Sequence, residues 1–253
     1  MTVVATGFSP AGYQDYGQRF LETFDTFWPA EIRLLAFVEE PTIVPRAGER
    51  SLWSCPGVRE FIDRHSTDKR YRGLEPVPGW TPKDHRKGYS YRYDAVKFCR
   101  QCFIPETAAA ELPNDDVLVW LDADVVTHQT IPDGFIEKLI GDSELCYLGR
   151  KDFHTELGFW AIRLNDSTRS FLNYLAGVWR NDCVFRLNEW HSAFVFDYTR
   201  NLFQVGDIRI TTKNLTPDGK GHVWFQSPLA RYTDHLKGER RKRQGFSTER
   251  LNT

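Results

Sequence analysis

Two aspartates separated by one alanine follow an unbroken apolar run in VLVWLDADVVTH, residues 117–128. Carboxylates this close repel one another, and burial penalises their charged form further, so the arrangement calls for a positive partner. A hard divalent cation meets that need. Asp122 and Asp124 offer oxygen ligands, one direct and one through water, and Ala123 keeps the turn between them tight. An ion held there and gripping a diphosphate would neutralise charge that builds on a leaving group. Asp-x-Asp alone also describes two solvated turn residues, so further residues must decide.

They come from the other end of the chain, in HLKGERRKR, residues 235–243. His235 adds an imidazole to the ligand set, which tilts the preference from Mg2+ toward Mn2+. Lys237 and Arg241 are suited to phosphate oxygens, and Gly238 lets the backbone approach a ligand. The plain alternative is a solvated basic terminus with an incidental histidine.

These residues need elements to hold them. Short apolar or β-branched runs predict strands at 2–6, 32–38, 117–121, 145–149, 158–164 and 207–211. Apolar residues at helical spacing predict helices at 13–28, 57–70, 91–103, 133–140, 167–179 and 189–203. Residues 41–90 carry many of the prolines and glycines and read as a surface excursion, and an irregular tail begins at Thr212. Alternation of this kind implies an α/β fold, a mainly parallel central sheet with helices on both faces, in a single domain spanning 1–253. Ligands of such sheets bind at the carboxyl ends of strands, where Thr6-Gly7-Phe8 and Asp122-Ala123-Asp124 fall.

Composition narrows the class. A net charge of −1 gives the whole protein no field for nucleic acid or anionic lipid, although residues 237–243 are locally basic. The amino terminus MTVVATGFSP lacks a basic start and a long apolar run, and no stretch approaches the ~20 apolar residues that span a bilayer, so a cytoplasmic protein is expected. Five scattered cysteines suit a reducing compartment. Cys99 and Cys102 spell C-x-x-C inside a predicted helix, with no second pair to complete a zinc site.

VLVWLDADV followed far downstream by His-x-x-Gly-x-x-Arg resembles the GT-A glycosyltransferases that use nucleotide sugars, and within them the glycogenin-like retaining family, whose late motif is His-x-x-Gly-x-x-Lys. The resemblance implies a GT-A, Rossmann-like fold in which Asp122, Asp124 and His235 hold Mn2+ or Mg2+. The residue at Arg241, where lysine is expected, would meet the diphosphate together with Lys237 and Gly238. Lys242-Arg243 replace the usual Pro-Trp. By the same likeness Thr6, Gly7, Phe8 and Glu39 would surround the nucleoside, Asp94 and Lys97 would meet donor sugar and phosphate, and Ala123 would lie against the donor. Residues 212–253 would close over that site.

HTELGFW at 154–160 and NEWHSAFVFD at 188–197 place polar groups in apolar surroundings. In the GT-A pattern the first would lie under the donor sugar and the second would start a helix on the acceptor side, making Glu156, Glu189 and His191 candidates for catalysis and His154 a loop residue. Glu189 is the nominee for general base. The activity implied is sugar transfer from a nucleotide diphosphate donor, a UDP-sugar, to an acceptor hydroxyl on a saccharide or on a hydroxylated DNA base. Two rivals stand beside it. Asp122-Ala123-Asp124-Val125-Val126 also fits the motif of haloacid dehalogenase-type phosphohydrolases, with Asp122 as nucleophile. A non-catalytic module docking polyanions through its basic tail is the other.

Overall fold

The computed structural model describes residues 1–41 and 48–247. Among the described residues nine strands follow one another: β1 (Thr2–Phe8), β2 (Arg33–Val38), β3 (Glu49–Ser51), β4 (Val117–Leu121), β5 (Val125–Thr127), β6 (Leu145–Arg150), β7 (Phe153–Arg163), β8 (Thr212–Asn214) and β9 (Thr233–His235). Seven form one sheet in the order β3-β2-β1-β4-β7-β6-β8, and β5 pairs with β9 in a small second sheet. Pairing is parallel from β3 through β4 and again between β6 and β8, whereas β7 runs antiparallel to both of its neighbours. The sheet is mainly parallel, as the alternation implies, and is mixed only through β7.

Why β1, β2 and β4 read as continuous apolar runs follows from their place: both faces of the sheet are covered. Alternate residues serve opposite cores. Val3, Ala5, Leu118 and Trp120 join a cluster with Phe61, Phe103, Phe171 and Phe196 from the helices Val58–His65, Arg100–Ala110, Asp166–Arg180 and Ser192–Val205. Val4, Val117, Val119 and Leu121 join Phe20, Phe24, Ile136 and Trp224, supplied by the helices Gln18–Phe27 and Phe135–Ile140 and a 3-10 turn at Val223–Gln226.

Three expectations need correction. No strand forms at 207–211; the register starts instead at Thr212, which pairs with Leu145, because Ile208 stays exposed and Ile210 alone turns into the core. The helix predicted to end at 103 continues to Ala110 in spite of Pro105. The segment from Thr212 is not irregular: it contains β8, two 3-10 turns, β9 and a helix at Glu239–Gln244, while residues 248–253 lie outside the described part. Among the described residues no helix is long and apolar enough to cross a membrane.

Candidate active site

β4 ends at Leu121 on the carboxyl edge of the sheet, and the chain turns there, with Asp122 N–H donating to Gly158 O at 3.0 Å and Val125 N–H donating to Asp122 O at 3.0 Å. Asp122 Oδ1 accepts from Trp120 Nε1 at 2.8 Å and Gln101 Nε2 at 2.9 Å, which leaves its other oxygen to face inward. Immediately after the turn, β5 takes up β9 in antiparallel register, Val125 opposite His235. That pairing carries the histidine from the far end of the chain to the acids. His235 Nε2 lies 3.1 Å from Asp124 Oδ1 and 3.8 Å from Asp122 Oδ2, and the ring is 2% exposed. Gly158 on β7 makes room for it, since a Cβ there would stand 2.7 Å from His235 Cε1 and 2.8 Å from Nδ1.

Charge in this corner is unevenly distributed. Burial and then the Asp124 carboxylate push Asp122 up from the usual carboxylate range. Burial works against ionisation of Asp124 too, but His235 and Lys242 hold it well below that range. The imidazole of His235, opposed by burial, is raised by Asp124, Glu156 and Asp122. Burial and the two aspartates push the Tyr16 hydroxyl up to about 12. Into this negative corner the helix Glu239–Gln244 inserts the ammonium of Lys242, 3.1 Å from Asp124 Oδ2 and 4.2 Å from the centre of the Tyr16 ring. Asp234 anchors the returning chain by accepting from Ser247 N–H at 2.7 Å and Ser247 Oγ at 2.6 Å.

These residues fit a hard divalent cation. They offer two carboxylates with an oxygen turned inward, a buried imidazole whose Nε2 faces both, and a lysine standing in as the positive charge. Glu156 on β7 lies behind them. Its burial would raise it, but Lys237, with Nζ at 2.7 Å, His235 and Arg150 bring it down to about 2. Lys237 is therefore paired with Glu156, and Arg241 donates through Nη1 to Lys237 O at 2.9 Å. Gly238, at φ 89°, permits the bend between them. The basic stretch at 237–243 thus pairs both Lys237, half of whose side chain stays exposed, and Lys242 with acids.

A second cluster adjoins the first. His154, Glu189 and His191 come together from the start of β7 and from the loop leading into the helix Ser192–Val205. Glu189 accepts from Arg92 Nη2 at 2.5 Å, lies 2.8 Å from His191 Nε2 and is 3.5 Å from His154 Nε2. Burial opposes its charge, yet the hydrogen bonds from the two histidines and Arg92 drive Glu189 far below the usual carboxylate range. A carboxylate so firmly held takes up a proton reluctantly, which weighs against the role of general base nominated for it. Asp197 and Glu189 raise His154 to about 9, while burial lowers His191. His154 is not an incidental loop residue; it joins the cluster. Gln101 links the two groups: its Nε2 donates to Asp122 and its Oε1 accepts from Ser192 Oγ, next to His191.

The chain matches no protein-family model and no curated protein in sequence. In structure it is similar to a glycosyltransferase involved in the glycosylation of the major capsid of PBCV-1, with a TM-score of 0.50 at 10% identity, over 96% of this chain and 98% of that one. The fold is of the GT-A type. Mouse xyloside xylosyltransferase 1 in its apo form also aligns, over 85% of each chain at 10% identity, with a TM-score of 0.47.

In this GT-A-type fold the residues expected around the nucleoside fall at the neighbouring ends of β1 and β2, where Gly7 is opposite Phe37 and Phe8 opposite Val38. Phe8, Tyr13 and Glu40 line a cleft of about 160 Å³ there. Thr6 faces inward instead, fully buried with its Oγ1 unpartnered, and Gly7 is needed because a Cβ would come within 2.5 Å of Ile104 Cδ1. Glu39 is 2.7 Å from Arg100 Nη2. Asp94 is occupied as a helix cap, accepting from Lys97 N–H at 3.1 Å and Tyr89 Oη at 3.0 Å, while the ammonium of Lys97 lies over the Phe98 ring. Cys99 and Cys102 are buried, and burial raises both thiols, that of Cys99 to about 12. Sequence reasoning missed Gln101, Tyr16 and Gly158. Only the glycine left a signal, a small residue inside a strand-forming run.

Proposed function

We propose that this chain is a metal-dependent glycosyltransferase that moves a sugar from a nucleotide diphosphate donor, a UDP-sugar, to an acceptor hydroxyl. One observation carries the reading. Beside a central sheet of GT-A type, the pairing of β5 with β9 brings His235 within 3.1 Å and 3.8 Å of the Asp124 and Asp122 carboxylates. Asp122, Asp124 and His235 would hold Mn2+ or Mg2+, which when bound supplies Lewis-acid neutralisation of the diphosphate. The protein's own groups do the rest. Gln101 and Trp120 fix one oxygen of Asp122 so that the other stays directed inward, and Glu156 orients Lys237 beside the same corner. Lys237, Gly238 and Arg241 are assigned to the diphosphate, and the cleft beside Phe8 and Gly7, near Glu39, to the nucleoside. Asp94, which caps the helix Ala95–Phe98, and Lys97 within it are assigned to the donor sugar and phosphate. The segment from Thr212 closes over the donor when it is bound.

The inward direction of Lys242 weighs against a polyanion-docking arm, because its charge is engaged by Asp124 and is not presented to a partner. The test is a screen of nucleotide sugars with Mn2+ and with Mg2+, read by thermal shift and by donor hydrolysis. At least one donor should stabilise the protein in the presence of the ion and be hydrolysed, with a loss of about 1,000-fold in Asp124→Ala. A response of equal size in the variant would end the proposal.

A further inference from the structure

Beside the donor corner lies an open groove of about 540 Å³ lined by Tyr91, Arg92, Asp152, Phe153, His154 and Glu189. We infer that this groove is the acceptor subsite and that the acceptor is a saccharide, held with its C–H face against Tyr91 and Phe153 and its hydroxyl edge toward Glu189, Asp152 and His154. The inference rests on the glycosyltransferase reading for the word acceptor. It rests on the groove itself for the word saccharide.

Three features of the groove lead there. First, its rim carries aromatic side chains that the core does not claim: Phe153 is 74% exposed and Tyr91 53% exposed. Phe153 starts β7 directly after a two-residue hairpin turn in which Asp152 adopts a left-handed backbone, φ 63°, so the hairpin tip presents the ring and the carboxylate together. Tyr91 sits in a 3-10 turn fastened to the opposite wall by Trp190 N–H donating to Arg92 O at 2.7 Å. A pyranose ring has an apolar face and a polar edge, and flat rings set over a polar floor match both.

Second, the floor is neutralised from within. Glu189 is paired with Arg92 and lies between two imidazoles, and His154 Nδ1 is 3.7 Å from Asp197. Such a floor offers donors and acceptors of hydrogen bonds without a net charge for a charged ligand to answer. A nucleic-acid acceptor would bring phosphates against Asp152 and Glu189 with Arg92 already engaged, which the groove does not favour.

Third, the groove is at the right distance. His154 belongs to it and Glu156 belongs to the donor corner, and they are two residues apart on one strand, a separation of about 7 Å by strand rise. That is close enough for an acceptor hydroxyl to approach a donor sugar seated over Glu156. Gln101 joins the same two sites from below.

The experiment measures saccharide binding by the full chain with neither donor nor metal present, using saturation-transfer NMR on p-nitrophenyl gluco-, galacto- and mannopyranosides and the corresponding disaccharides. At least one probe should bind through its C–H face, with the signal lost or its Kd raised about tenfold in Phe153→Ala and in Tyr91→Ala, and retained in Asp124→Ala. Both aromatic residues are exposed, and circular dichroism checks that the variants fold. Absence of every probe signal in the wild type, an undiminished signal in both aromatic variants, or binding of an oligonucleotide carrying hydroxymethylated bases in place of the sugars would overturn the proposal. The donor-hydrolysis screen fails or succeeds independently. Saccharide binding without donor hydrolysis would remove the transferase reading and leave the groove; the reverse would remove the groove alone.

Discussion

Asp122, Asp124 and His235 form one histidine–carboxylate cluster, and His154, Glu189 and His191 form another, yet the two are built on opposite principles of charge. In the first, two acids face one imidazole and one tail lysine, and burial together with repulsion from Asp124 keeps Asp122 reluctant to ionise. In the second, a single acid is surrounded by a guanidinium and two imidazoles, and its ionisation is strongly favoured. On the proposed reading the first cluster takes a cation from outside. The second has its cations already, drawn from Arg92 and His154, and on that reading meets something neutral. Similar side chains would then serve different ligands because the ratio of acids to bases differs, not because the residue types do.

Removing one acid from each cluster should therefore move stability in opposite directions. Glu189→Ala strands Arg92 and the two imidazoles in a partly buried site and is expected to destabilise the protein by about 3 kcal/mol in urea unfolding at neutral pH. Asp122→Asn keeps an oxygen for Trp120 and Gln101 while deleting a repelled charge, so metal-free protein should gain about 1 kcal/mol and lose its thermal response to Mn2+. If both variants destabilise the metal-free protein, the contrast in charge drawn here is wrong.

Lys242 permits a finer test of the first cluster. As a tethered ammonium beside Asp124, it competes with an external cation, and only a quarter of its side chain is exposed. Lys242→Met should tighten Mn2+ binding, measured by electron paramagnetic resonance without nucleotide, by about fivefold, the equivalent of about 1 kcal/mol. Weaker binding in the variant would mean that the lysine holds the helix Glu239–Gln244 in place and does not stand in for the ion.

How much of this was legible beforehand divides along the range of the interactions. β4 announced itself because a strand covered on both faces must be apolar throughout, and the two aspartates then fell at its carboxyl edge by chain order alone. His235 was found through its motif. What brings it to the acids, the pairing of β5 with β9, joins two three-residue strands more than a hundred residues apart, too short for any periodicity to register. The missing strand at 207–211 failed for the complementary reason: alternation was present in DIRIT, but the partner edge begins opposite Thr212. His154 passed for a loop residue because its importance lies in Glu189 and Asp197, which meet it only in the folded state. The basic tail reads from the sequence as a diphosphate contact or a solvated terminus, and the pairing of Lys237 with Glu156 and of Lys242 with Asp124 exists only in the folded state.

The second cluster yields the smallest effect and a distinct sign. His154 is raised to about 9 by Asp197 and Glu189, against an ordinary value near 6.5 in the unfolded chain, so the folded state holds the proton more tightly. A raised imidazole contributes stability that is complete below pH ~6.5 and is lost as pH rises through ~9. Asp197 and Glu189 favour the proton, while Arg92 beyond Glu189, Arg200 beyond Asp197 and Arg150, whose Nε donates to His154 O, oppose it. The melting temperature should decline gently between those limits, and His154→Gln should flatten the decline by lowering the melting temperature most at the acid end, where the charged imidazole contributes in full. Were the slope to persist unaltered in the variant, His154 would be titrating at its ordinary value and the floor of the groove would not be the self-neutralised surface that a saccharide requires.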